Sequence, residues 1–452
     1  MAADQQPDSL YGLRYEFAQF AQPPTFNPAY PLTGQINEPT KNFGPRIGLA
    51  WSLGAKTVIR AGYGLFYARF PSATIARLHQ LNGVTQSSLT LQGNIPADAA
   101  AGPVFPARLA SLDRTPPPGA VTLNFADPEL ATPYTQQGDF SIEREITSNM
   151  GLTVSYLWNR GLKNITRRDL NIGPATGTFT YRILDAAGNQ TGTYTTPTYL
   201  TANRVDPRYA RVVYADNGGR VWYDGLAVQF RRRASKWVEG TVAYTWSHAR
   251  DLSQGGASSN VFFTDAPATL FNGDYNAEKG TSLLDQRHRT VITAIMTPPR
   301  KQFGNGFANH TLNGWQLSFL GTFASAQYVT PSVLVSGVQF PGQAFTSTLN
   351  GFGGSSQVPF ISRQSIPVDE VQRIDTRLTK ILSFSERVQL QLNFEVFNTF
   401  NRVSNTGVNT QAFQATAGVL RPVAGLGVGN ASGGFPDGTN ARRAQFSMRV
   451  IF

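Results

Sequence analysis

Apolar and polar residues alternate with a period of two in segment after segment of this chain, the pattern of a strand whose two faces meet different surroundings. From Arg46 to Leu53, Ile47, Leu49, Trp51 and Leu53 share one face, and Arg46, Gly48, Ala50 and Ser52 share the other. From Thr57 to Phe70, Ile59, Ala61, Tyr63, Leu65 and Tyr67 stand opposite Arg60, Gly62 and Gly64. The same reading holds for Leu152, Val154, Tyr156 and Trp158. It holds again for Val388, Leu390, Leu392, Phe394 and Val396 against Gln389, Gln391, Asn393 and Glu395. A soluble sandwich turns such apolar rows inward and a membrane barrel turns them to lipid, so alternation by itself does not separate the two.

The connections do separate them. Short ones fall near Gly54 to Lys56, Thr147 to Asn149, Ala234 to Lys236 and Ser383 to Glu386, and suit hairpin turns. Pro298 to Asn313 is longer than an ordinary turn. Between the short ones lie long segments rich in Gly, Pro, Asn, Thr and Ser: Ala21 to Lys41, Pro71 to Pro133, Lys163 to Val221, Arg250 to Gln286, Thr330 to Glu370 and Asn401 to Ala441. Long structureless loops are uncommon in compact soluble domains, but a membrane barrel carries them on its extracellular side and tight turns on the other. The expectation is an all-β, antiparallel transmembrane β-barrel domain over residues 1–452, with about 12 strands present. Ile47, Leu49, Trp51, Leu390, Leu392 and Phe394 would face lipid, and Tyr67, Trp158, Tyr244, Trp246 and Trp315 would form the interfacial aromatic girdles.

Composition adds little that changes this picture. Cysteine is absent, while Gly (43), Phe (30) and Tyr (16) are plentiful. No stretch reaches the roughly 18 uncharged apolar residues of a membrane-spanning helix, and the opening MAADQQPDSL lacks the regions of a signal peptide. The net charge of +11 is spread thinly rather than gathered on one face, which argues against nucleic acid as a partner. The densest run, Arg231 to Arg233, closes an apparent strand and reads as a solvated turn.

Three groups of residues stand out. Arg46, Arg60, Asp375, Arg377, Glu395 and Arg443 all fall on polar faces, where lumen-facing charges would pair across strands. Arg250 and Asp251 flank one side of a long loop, from about Leu252 to Leu284, and Asp285 and Arg287 flank the other. If the adjoining strands are neighbours, these four form a latch at the extracellular rim. His248 and His288 lie close by in sequence, but two histidines without a clear carboxylate set give no metal site. The third group is Phe446, Met448, Val450 and the terminal Phe452, which with Ala444 occupy one face of the last strand. No cofactor is expected. No catalytic constellation emerges from the four histidines, so the chain does not read as an enzyme.

Several of these segments carry a family likeness. The runs NFGPRIGLAW (Asn42 to Trp51) and TVIRAGYGLFY (Thr57 to Tyr67) resemble TonB-dependent outer-membrane receptors, in particular the Oar-like kind with a carboxypeptidase-regulatory-like N-terminal domain. VSYLWNRG (Val154 to Gly161), YDGLAVQFRR (Tyr223 to Arg232), YTWSHA (Tyr244 to Ala249), DQRHR (Asp285 to Arg289), GWQ (Gly314 to Gln316) and EVFN (Glu395 to Asn398) are similar to family segments in the same order.

The resemblance implies a bacterial outer-membrane location and a barrel of about 22 strands around a plug. Because Gly12 to Phe17 already looks like a strand, it also implies that this chain is the C-terminal part of such a barrel, without signal peptide, plug or first strands. TonB would then be met only through the missing N-terminal part, and the chain's own partners would be outer-membrane lipid and the barrel-assembly machinery. An aromatic at the chain end on an amphipathic strand resembles the signal that machinery reads; any closing strand also needs an apolar row. The implied function is to supply wall and extracellular loops of a receptor for a scarce ligand, which the sequence does not identify. A passive outer-membrane pore, an independent 12-stranded barrel and a soluble two-sheet binding protein are the alternatives.

Overall fold

The computed structural model describes residues 7–87, 119–235, 237–252, 264–265, 279–352, 357–385, 387–431 and 441–452. Twelve strands follow one another in chain order through one sheet. They are β1 (Asp8–Glu16), β2 (Asn42–Ser52), β3 (Thr57–Tyr67), β4 (Tyr134–Thr147), β5 (Met150–Asp169), β6 (Arg211–Ser235), β7 (Val238–Leu252), β8 (His288–Met296), β9 (Trp315–Ala324), β10 (Val371–Ser383), β11 (Gln389–Phe397) and β12 (Arg443–Ile451). Every neighbouring pair is antiparallel. Among the described residues β1 pairs only with β2 and β12 only with β11, so the sheet ends in two open edges.

The alternation is inverted relative to a soluble protein. On β2 the apolar Phe43, Ile47, Leu49 and Trp51 are exposed, Ile47 by 50%, whereas Asn42 and Gly44 are buried. On β11 Phe394 is exposed, and Leu390 and Leu392 are half-buried between the rows of β10 and β12. Apolar rows run across the strands, because the register sets Leu392 opposite Met448 and Phe394 opposite Phe446. The opposite face is hydrogen-bonded: Thr379 donates to Asn393 Oδ1 at 2.8 Å, and Asn393 Nδ2 donates to Ser447 Oγ at 3.2 Å. Aromatics need room on such a surface. The Trp158 indole lies over Gly138, where an added Cβ would come within 2.3 Å of Nε1.

The connections alternate in length as the sequence suggests, but two expectations about them are corrected. The segment from Lys163 to Val221 is not all loop: β5 runs on to Asp169 and β6 begins at Arg211, making strands of 20 and 25 residues. Register shifts between Gly161 and Thr166 interrupt the strict alternation at that height, which hides the continuation in sequence. Nor are the long loops structureless. Three of them combine into a five-stranded sheet of Ser332–Ser336, Gln411–Thr416, Val419–Pro422, Gly177–Leu184 and Gln190–Thr198, in that spatial order. Its core holds Tyr181, Val333, Leu349, Val358, Ala412, Ala415 and Leu420. A second core of Ile36, Phe70, Leu78, Ala126, Leu130, Ile165 and Ala215 joins the loops after β1 and β3 to the long-loop ends of β5 and β6. The buried hydrophobic cores lie at the long-loop end, not in the wall.

Candidate functional site: the loop cap and its rim

The cap is a folded surface tied down at identifiable points. Tyr181, fully buried, donates its hydroxyl to the Leu349 carbonyl at 2.5 Å, and burial raises its pKa. Its ring meets Phe179 edge to face at 5.0 Å. Below it, Asp169 at the tip of β5 accepts from the Arg211 Nε at 2.9 Å and from the amides of Asn171 and Val212. Asp206 in the β5–β6 connection accepts from Arg208 Nη2 at 2.7 Å and from the Tyr30 hydroxyl at 3.1 Å, clasping the loop that follows β1. The Arg208 guanidinium holds the Asp206 carboxyl at about 2, well below the usual carboxylate range.

At the rim the four latch residues do not pair as the sequence suggests. Asp285, 6% exposed, accepts from the Ala249 amide at 2.6 Å, lies 3.2 Å from His248 Nδ1, and meets Arg287 Nη2 at 3.3 Å. Arg250 stands opposite Thr281, and Asp251 opposite Gly280. The cause is the turn in which the Asp285 amide bonds the Ser282 carbonyl, which takes up residues between the two registers. Asp251 pairs instead with Arg363, from the β9–β10 connection, at 2.6 Å. Sequence reasoning missed Arg363 because nothing local marks it as a partner of β7. His288 Nδ1 meets the Tyr244 hydroxyl at 2.8 Å, away from His248. The interior of the latch loop, residues 253–263 and 266–278, lies outside the described residues.

The polar-face charges have these positions. Arg377 and Glu395 are cross-strand partners, with Nε 2.7 Å from Oε1. Arg60 reaches Glu143 at 3.1 Å across β3 and β4. Asp375 meets Arg373 on its own strand at 2.8 Å and accepts from the Asn398 amide at 2.7 Å, so its cation is not a cross-strand one. Arg46 and Arg443 lie over the Phe66 and Phe397 rings at 4.3 and 5.7 Å. Phe446, Met448 and Val450 on β12 and Phe452 just beyond it are all exposed, Phe452 by 96%.

An apolar row turned outward, a hydrogen-bonded polar face and folded structure gathered at one end fit a sheet in lipid. Residues 10–426 match the model of a family described as outer membrane beta barrel domain. The chain belongs to that family. It is therefore an outer-membrane protein, and in such barrels the short turns face the periplasm and the long loops the exterior. No curated protein sequence matches it. Among solved structures it is similar to the outer membrane transporter YddB from Escherichia coli, at 12% identity and a TM-score of 0.44, covering 92% of this chain and 40% of that one. It is also similar to the apoprotein form of the FrpB iron transporter (F5-1 variant) from Neisseria meningitidis, at 11% identity and a TM-score of 0.46, covering 99% and 43%. The copper transporter OprC matches at 11% identity and a TM-score of 0.42, covering 100% and 46%. The chain thus spans less than half the length of these three structures.

Proposed function

We propose that this outer-membrane chain supplies wall strands and the folded extracellular cap of a TonB-dependent receptor of the Oar-like kind, which carries a scarce ligand inward across the outer membrane. The observation that carries this reading is the cap itself. Three loops from different hairpins share one sheet and one buried core, which gives a preorganised outer surface instead of mobile loops around an open mouth. The ordered resemblance of wall segments such as YDGLAVQFRR (Tyr223 to Arg232) to receptor segments supports the same reading. The open edges of β1 and β12 support completion of the wall by further strands, to about 22 in all, around a plug. The exposed row Phe446, Met448, Val450 and Phe452 supports recognition of β12 by the barrel-assembly machinery.

Single-channel recording on the native polypeptide extracted from outer membranes tests the reading. A receptor that moves its ligand only when energised shows no steady conductance. A steady, ohmic current would replace it with a passive pore selected by its charged rings.

A further inference from the structure

The periplasmic connection between β8 and β9 is built unlike the others at that end. It runs from Thr297 to Gly314 and contains a short helix, α1 (Gly306–Leu312). Three asparagines clip it. Asn305 Oδ1 accepts from the Ala308 amide at 2.6 Å. Asn309 brackets the Phe303 backbone at 2.7 and 3.0 Å, and Asn313 brackets that of Lys301 at 2.8 and 2.7 Å. Gly314 takes a positive φ of 77° and approaches the Ile381 carbonyl so closely that a Cβ would lie 2.2 Å from it. Such a turn holds one shape.

Its anchor shows which side of the wall it leans to. Lys380 of β10 donates from Nζ to the His310 carbonyl at 2.6 Å, to that of Thr311 at 2.9 Å and to that of Asn313, closing the C-terminal end of α1. The ammonium also lies 4.8 Å from the Trp315 ring, whose Nε1 donates to the Thr311 carbonyl at 2.8 Å. Lys380 and Trp315 are cross-strand partners on the face that carries Leu378 and Leu317, the outward apolar row. The end of α1 is therefore held on the lipid side.

The helix presents Phe307 at 78% exposure and Leu312 at 59%, next to the exposed Trp315 and Leu317. Thr297 to Gln316 contains no Asp or Glu, but it has Arg300, Lys301 and His310. Large apolar side chains beside cations without a carboxylate, continuous with a lipid-facing row, match the chemistry of an anionic phospholipid surface. We propose that this connection is an interfacial foot. Phe307 and Leu312 enter the inner leaflet of the outer membrane, while Lys301 rests on lipid phosphate; Arg300 instead donates to Ser383 Oγ at 3.2 Å, on the polar-face parity of β10. The inference needs only the membrane placement of the wall and is independent of what the protein transports.

The absence of cysteine makes the test direct. Nitroxides are placed by Phe307→Cys and Leu312→Cys in the full chain, with Leu317→Cys as the lipid reference and Lys56→Cys as the water reference. All are reconstituted in phosphatidylethanolamine–phosphatidylglycerol bilayers and checked for heat-modifiable folding. The expected result is that the labels at 307 and 312 collide with oxygen as the label at 317 does, and are shielded several-fold from a water-soluble nickel chelate relative to the label at 56. Nickel access equal to that at 56 overturns the proposal, and so does a label shielded from both reagents, which marks a protein neighbour. The variant Lys301→Gln separates the phosphate source. It should raise nickel access at 312 in bilayers containing phosphatidylglycerol, and inorganic phosphate should leave the parent unchanged. If inorganic phosphate in neutral phosphatidylcholine restores the shielding, the site takes a free anion and the lipid assignment falls.

Discussion

Arg363 and Asp251, separated by 112 residues in the chain, meet through Nη2 and Oδ1 at 2.6 Å and join the β9–β10 connection to the top of β7. Both side chains are largely buried. Removing one partner leaves the other as a buried charge, which costs about 3–5 kcal/mol of local stability. Asp251→Ala and Arg363→Ala should each speed limited proteolysis of the cap on intact cells while the wall stays folded. The double variant should lose less than the sum of the two, because the second removal takes away the stranded charge. Strictly additive losses would show that the pair is not coupled.

A pH dependence follows from Asp206. Its carboxyl sits at about 2 in the folded cap, against 3.8 for the free group, held there chiefly by Arg208. A depressed carboxylate stabilises the fold in full above the unfolded value and loses that contribution as pH falls through the folded one. The clasp on Tyr30 should therefore be intact from neutral pH down to about pH 4 and weaken between there and pH 2. Hydrogen exchange of the residues around Tyr30 measures it, and Asp206→Asn should remove the dependence. Loss of protection already at pH 6 would point to a different group.

The inverted alternation of β11 gives a contrast between adjacent positions. Arg in place of Leu392 puts a guanidinium in lipid and should cost about 2–4 kcal/mol near the midplane. Arg in place of Gln391 faces the polar side and should cost little. Urea titration of the folded protein in detergent or lipid compares them, and equal destabilisation would reverse the assignment of faces.

Deleting Phe452, or Phe452→Ser, removes an aromatic that nothing else in the described residues covers. Folding in vitro from urea into lipid should change little, whereas the amount of heat-modifiable barrel in cell outer membranes should drop. Unchanged levels in cells would leave Phe452 a lipid-facing side chain without a role in assembly.

What could be read from the sequence was local. Period two in Arg46 to Leu53 or Val388 to Val396 reports two unlike faces directly, and alternating loop lengths place those faces in a barrel. The cap could not be read, because its pairings are not local: Val419 lies beside Arg182 in parallel, and Tyr181 is buried by Leu349 and Leu420 from two other loops. The rim falls between. Asp285 and Arg287 do belong together, but the turn at Ser282 decides that Asp285 faces His248 and Ala249 rather than Arg250. The helical foot had one local signal, Asn305 at the N-cap of GFANHTL, inside a connection longer than a turn requires.

The five-stranded cap also sets an order of events. Gly177–Leu184 pairs with Gln190–Thr198 within its own loop but finds its second neighbour only when Val419–Pro422 has arrived, and Ser332–Ser336 pairs with Gln411–Thr416 only when that segment has. Contacts across such separations form late, after the chain between them has been threaded into place. No single hairpin can seal its own loop, and a molecule with a strand out of sequence has nowhere to bury Tyr181. An outer face shared by three loops is expected to complete itself after the wall strands that carry those loops are in place.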